Sequence, residues 1–178
     1  MAELDRTGNL LGALSLSVGD RTADAVGDAA GQSETAAVAL SALHHFLEDP
    51  SVDLLRRVLG LTPSGAVRLV DRLQDARYVT RRPGADGRSV SVRLTAAGRR
   101  AAERVSSARA DVLQDALATL SPGERRAFDE LAGRVLAGMI RGPGAVRWMC
   151  RLCDTGACGR EAGRCPVANA ARERYGST

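Results

Sequence analysis

Two groups of residues in this chain have types and spacing that could do chemistry. Cys150, Cys153, Cys158 and Cys165 are its only cysteines, and they fall within sixteen residues in the spacing C-x2-C-x4-C-x6-C. Glycines at 156, 159 and 163 let the segment fold around a centre. The N-terminus has no basic stretch followed by an apolar core, so no secretory signal is visible and a cytoplasmic location is expected. Clustered thiols in that setting argue for a metal rather than structural disulfides. Zinc would be held tetrahedrally in a closed structural site. An iron-sulfur cluster is the other candidate, since Cys165-Pro166 has the cysteine-proline ending of many cluster loops. A reversible thiol-disulfide switch is the third.

The second group is arginine. All 25 basic residues are arginines, a composition that reflects codon bias more than design. Their distribution is more informative than their number. Ten arginines (68, 72, 77, 81, 82, 88, 93, 99, 100 and 104) face only four acids (Asp71, Asp75, Asp86 and Glu103) between Gly60 and Arg104. A local surplus of that kind is the electrostatic footprint of a nucleic-acid binder.

The elements that position these arginines can be read from caps and periodicity. Thr62 and Pro63 form a helix start, a hydroxyl N-cap followed by proline at the first helical position. At 100° per residue Ala66, Leu69, Val70 and Leu73 share one face, while Ser64, Arg68, Asp71, Arg72 and Asp75 share the other. Upstream, Asp49-Pro50 reads as a second start, with an apolar stripe of Val52, Leu54, Leu55, Val58 and Leu59 that stops at Gly60. So tight a connection across Gly60 and Leu61 predicts a helix-turn-helix. Tyr78–Arg82 and Ser89–Leu94 are β-prone runs around the turn-rich tip Pro83-Gly84-Ala85-Asp86-Gly87-Arg88, a predicted hairpin.

Taken together, LTPSGAVRLVDRL, the arginine-flanked wing with Asp86-Gly87-Arg88, and Leu94-Thr95-Ala96-Ala97-Gly98 resemble the winged helix-turn-helix core of the MarR family of bacterial transcription regulators, over roughly residues 30 to 140. The resemblance implies that Thr62, Ser64 and Arg68 enter the major groove and that Arg72 lies near phosphates. It also implies a DNA-contacting wing in which Arg81 and Arg82 flank the tip, Arg88 probes the minor groove and Asp86 orients it. Gly65 and Val67 depart from the family, whose members often carry polar residues there. Fewer direct base contacts are then available.

Around this core the sequence predicts a long helix over residues 4 to 30 with a break near Gly19, and a helix from Ser33-Glu34 to Phe46. The second carries His44 and His45, the chain's only histidines, read as one packed and one solvated. Thr95 caps a helix to about Leu120, and Ser121-Pro122-Gly123-Glu124 opens another, with a capping box, to about Ile140. Its stripe of Phe128, Leu131, Val135, Leu136, Met139 and Ile140 exceeds what one small domain needs to bury. The resemblance implies that the first and last helices form a dimer interface.

The expected fold is mainly α (α+β), a winged helix-turn-helix with long N- and C-terminal dimerisation helices. The expected units are a dimerisation helix (1–32), a DNA-binding domain (33–98), C-terminal dimerisation helices (99–141) and the four-cysteine tail (142–178). The expected function is a homodimeric, sequence-specific regulator of double-stranded DNA. It is expected to be a repressor on a near-palindromic operator and to respond to redox state, metal or a small-molecule effector. The competing readings are a zinc-stabilised protein-protein adaptor and a small metalloprotein that does not bind DNA. An enzyme is not expected, because four cysteine ligands leave a metal no open position and no nucleophile with a base is apparent. No apolar run approaches the roughly 18 to 20 residues a membrane span requires.

Overall fold

The computed structural model describes residues 5–84, 89–142 and 144–176. Helix α1 (Arg6–Ala30) starts on Asp5, whose carboxylate accepts from the Gly8 amide, and ends at Gly31 in the left-handed conformation. It runs through Gly19 without the predicted break. Both Gly12 and Gly19 face open space, so neither marks a close approach, and α1 packs along its inner face on a later helix, α5. Long-range packing of this kind outweighs the modest helix penalty of an isolated glycine.

Helix α2 (Glu34–His45) begins on Ser33 and buries every residue from Ala36 to Leu43. A helix that is apolar all round is a core helix, and its alanines let neighbouring elements approach closely. Helix α3 (Val52–Leu59) starts on Ser51 rather than on the expected Asp49-Pro50 pair. The proline is buried and its carbonyl accepts from the Val92 amide, while Asp49 has φ +41° and its carboxylate pairs with Arg93. The expected cap residues are therefore used to attach the wing. Helix α4 (Pro63–Asp75) follows across Gly60, which caps α3 at φ +65°.

Strands β1 (Val79–Pro83) and β2 (Val90–Leu94) pair antiparallel in the register Val79↔Leu94, Arg81↔Val92 and Pro83↔Val90. A further bridge, Ser51↔Ser91, ties the wing to the start of α3 and buries Ser91, which the apolar alternation places outside. Val92 is fully buried, whereas Val90 stays exposed.

Helix α5 (Ala96–Ala116) and helix α6 (Pro122–Gly138) follow, the latter with its capping box between Ser121 and Glu124. Helix α5 runs antiparallel to α1: Arg104 donates to the Ala29 carbonyl, and Arg21 pairs with Asp115. Its cap, Thr95, both accepts from the Gly98 amide (3.0 Å) and donates to the Arg77 carbonyl (2.7 Å), joining α5 to the end of α4. Thr95→Ala removes both links. It is expected to lower stability by about 1–2 kcal/mol in urea unfolding, and Thr95→Ser, which keeps the hydroxyl, to restore most of that loss.

Two short helices close the chain, α7 (Ala145–Met149) and α8 (Pro166–Tyr175). The main core comprises α2 with the inner faces of α1, α3, α4, β1, β2 and α5. A second, smaller core gathers Ile140, Cys150, Cys165, Val167 and Ala171. Among the described residues no helix is long and apolar enough to cross a membrane.

Candidate nucleic-acid interface and cysteine module

Helix α4 is held by its cap and by one buried stripe. The Thr62 hydroxyl accepts from the Gly65 amide at 3.1 Å, and Ala66, Leu69, Val70 and Leu73 are all buried. The opposite face is then forced outward, and Thr62, Ser64, Val67, Arg68, Asp71 and Arg72 are exposed. Among the described residues Arg68 and Arg72 have no hydrogen-bond or ion-pair partner. Gly65 has a local role. An added Cβ there would lie 3.0 Å from the Thr62 hydroxyl oxygen, so a side chain would crowd the cap.

The two wing arginines differ. Arg81 is half-buried and occupied, donating to Asp71 (2.7 Å) and to the Gln74 side chain (3.0 Å), which locks the wing to α4. Arg82 projects from the strand and is exposed. Asp86 and Arg88, expected at the wing tip, lie outside the described residues.

Residues 30–89 match the model of the MarR family. Over α2 to β1 the chain is similar to MarR-family proteins. No curated protein matches the chain. A MarR-family regulator from Silicibacter pomeroyi is 25% identical with a TM-score of 0.58, covering 80% of this chain and 97% of that one. A mutant MarR from E. coli is 22% identical with a TM-score of 0.62 (76% and 99% covered). A mutant of the S. aureus regulator MepR, bound to an oligodeoxyribonucleotide, is 16% identical with a TM-score of 0.56 (76% and 99% covered). Likenesses at this level show the fold.

The MarR match stops well before the cysteines. Cys150 follows α7 and is buried, and Cys165 caps α8, its sulfur accepting from the Ala168 amide at 3.5 Å. Cys153 and Cys158 are half-buried on the turns between them. The neighbouring Cys153 sulfur holds the Cys150 thiol up, and Cys150 in turn draws Cys153 down. Burial raises Cys158, with its contact to Cys165 adding to the effect. All four are free thiols gathered in one apolar cluster, with the Cys158 thiol donating to the Thr155 carbonyl. Among the described residues no three His, Cys, Asp or Glu side chains stand in an arrangement that would hold a metal ion. Donor type and clustering suit a soft metal.

The loop itself is ordered by local bonds. Asp154 accepts from the Gly156 and Ala157 amides, the latter bond doing most to lower its pKa, and Gly159 and Gly163 take positive φ. His45 faces this loop from α2. It is half-buried, which lowers its pKa, and its Nε2 lies 2.9 Å from the Ser106 hydroxyl of α5. His44 is exposed. A cavity of about 200 Å³ opens beside His45, between α5 and Leu152 and Asp154 of the loop.

Proposed function

We propose that this chain is a sequence-specific DNA-binding transcription regulator that acts in the cytoplasm as a homodimer on a near-palindromic operator. The observation that carries the reading is the outer face of α4. A cluster of exposed hydroxyl and guanidinium groups, with Arg68 and Arg72 unpaired among the described residues, stands on a helix whose other face is locked in a core. Arg68 is suited to bidentate guanine contact, Ser64 to either base edge, and exposed Val67 to a thymine methyl. Arg72, one turn further on, is placed for phosphate. The helix N-terminus, with Thr62 at its cap, adds amide donors to the same surface. Arg82 and the wing tip with Arg88 and Asp86 extend the contact to the neighbouring groove.

Dimerisation is supported by apolar surface that a single chain leaves uncovered. Leu10, Leu11, Leu14 and Leu16 of α1, and Phe128, Leu131, Val135 and Leu136 of α6, are all more than 40% exposed. A second copy is the occupant that gives two identical reading heads, and two heads match two half-sites about one helical turn apart. A dimer covering both half-sites occludes that stretch of duplex, so repression is the direct output. The cavity beside His45, between α2, α5 and the cysteine loop, offers a place for a small effector.

The test is duplex binding as a function of salt with two variants. Arg68→Ala is expected to weaken binding to a preferred duplex by about 10- to 100-fold while barely changing binding to random sequence. Arg72→Ala is expected to weaken both and to reduce the slope of log K against log salt by about one. Salt-insensitive binding, unchanged in both variants, would refute the reading.

A further inference from the structure

The tail is not a free appendage. On one side it is seated on the helix-turn-helix. Trp148 lies against Gly60, where an added Cβ would come within 2.6 Å of the indole Cζ3, and Arg151 stacks on the same ring at 4.1 Å. Leu152 packs into the main core, and the Thr155 hydroxyl donates to the His45 carbonyl at 3.2 Å. On the other side it grips α6. Arg174 of α8 donates to the Ala137 carbonyl, and Pro166 faces Gly133, where an added Cβ would be 3.3 Å from the ring. The cysteine segment therefore connects the helix proposed for dimer contact to the turn that aims α4.

Arg160 shows what this segment lacks. Its Nε and Nη2 are buried with no hydrogen-bond partner among the described residues, and its guanidinium sits 5.9 Å above the Phe46 ring. Arg160 stands two residues after Cys158 in the same loop. Buried guanidinium N–H groups without a partner are costly, and an anion beside them offsets that cost. A divalent metal held by four thiolates is such an anion, because the centre keeps a net negative charge; the same holds for an iron-sulfur cluster on four cysteines.

We propose that Cys150, Cys153, Cys158 and Cys165 close on one anionic metal-thiolate centre balanced by Arg160, and that the loaded loop clamps Trp148 onto Gly60, so that metal occupancy sets the geometry of the helix-turn-helix. Binding forms metal-sulfur bonds to the four sulfurs, and the thiol protons pass to solvent. The left-handed glycines at 159 and 163 lie between the third and fourth ligands, where the loop must adjust. The metal centre stands independently of the DNA reading; its effect on operator affinity rests on that reading.

Trp148 is the chain's only tryptophan, so its fluorescence reports the clamp without DNA. The full chain, purified without oxygen, is analysed for zinc, iron and sulfide and by absorption spectroscopy, before and after chelation. One zinc per chain in a colourless sample, or iron with sulfide and visible absorption, is expected, and either supports the centre and identifies its metal. Cys153→Ser and Cys165→Ser are expected to lose the metal. Arg160→Gln, with all four ligands intact, is expected to lose it to a chelator about 10-fold more readily. Metal removal is expected to shift Trp148 fluorescence toward that of an exposed indole. Metal below about a tenth of an equivalent per chain, or unchanged content in both cysteine variants, overturns the centre. Full metal loading with fluorescence indifferent to its removal overturns the clamp. Salt-insensitive DNA binding in a protein that passes both tests would defeat the DNA reading alone.

Discussion

Gly98→Ala is expected to be among the most destabilising single substitutions in this chain, costing more than about 3 kcal/mol. The glycine lies in the first turn of α5, and a Cβ built there would sit 2.0 Å from the Tyr78 carbonyl oxygen, 2.9 Å from its carbon and 3.0 Å from Leu94 Cδ2. Two of those atoms are backbone, so no rotamer change relieves the overlap. Tyr78 cannot retreat easily either. Its carbonyl accepts from the Thr95 amide, and its hydroxyl donates to the Ala30 carbonyl at 3.2 Å. The close approach is what brings α5 alongside the wing and the end of α4. Urea unfolding measures the effect, with Gly12→Ala as the comparison. Gly12 is also helical but faces open space, and alanine there is expected to stabilise by about 0.5–1 kcal/mol. A loss below about 1 kcal/mol for Gly98→Ala would contradict the packing described.

The second large effect concerns assembly. Leu131→Glu combined with Leu136→Glu is expected to convert the proposed dimer to monomer and to weaken operator binding by about 100-fold or more, since linked half-sites gain that much over single ones. Both leucines are solvent-exposed within one chain, at 58% and 41%. Their replacement therefore removes nothing from the protomer's own core, and the fold is expected to persist. Were they on a merely solvated face, glutamate would leave the assembly unchanged. Burying a leucine contributes about 1.5–3 kcal/mol, whereas a buried unpaired glutamate is strongly unfavourable, so the two substitutions act twice in each dimer. Sedimentation analysis reads the mass. A variant that remains dimeric would place the interface elsewhere.

The reading head is legible in the sequence because its signals are local. Thr62-Pro63 caps α4, Gly60 ends α3, and the stripe Ala66, Leu69, Val70 and Leu73 orients α4; each acts within a few residues. The caps at Ser33, Thr95 and Ser121 are legible for the same reason. The start of α3 depends on tertiary contacts: Ser51 caps it, not the expected Asp49-Pro50, because Pro50 and Asp49 are engaged with Val92 and Arg93 of the wing. Gly19 reads as a break because its helix cost is local and the packing of α1 on α5 is not. The family resemblance places Arg81 beside the wing tip, and its ties to Asp71 and Gln74, residues on another element, are not visible in the local pattern. The seat of Trp148 on Gly60 and the burial of Arg160 join residues far apart in sequence, with no period or cap to announce them.

Two copies of this winged helix are proposed to read duplex DNA. Selection from a pool of random duplexes by the full-length protein, followed by sequencing, tests this with no operator specified in advance. Enrichment of a near-palindrome whose half-sites lie about one helical turn apart, bound with a steep salt dependence, is the predicted result. A selected pool with no common motif, retained independently of salt, would contradict it.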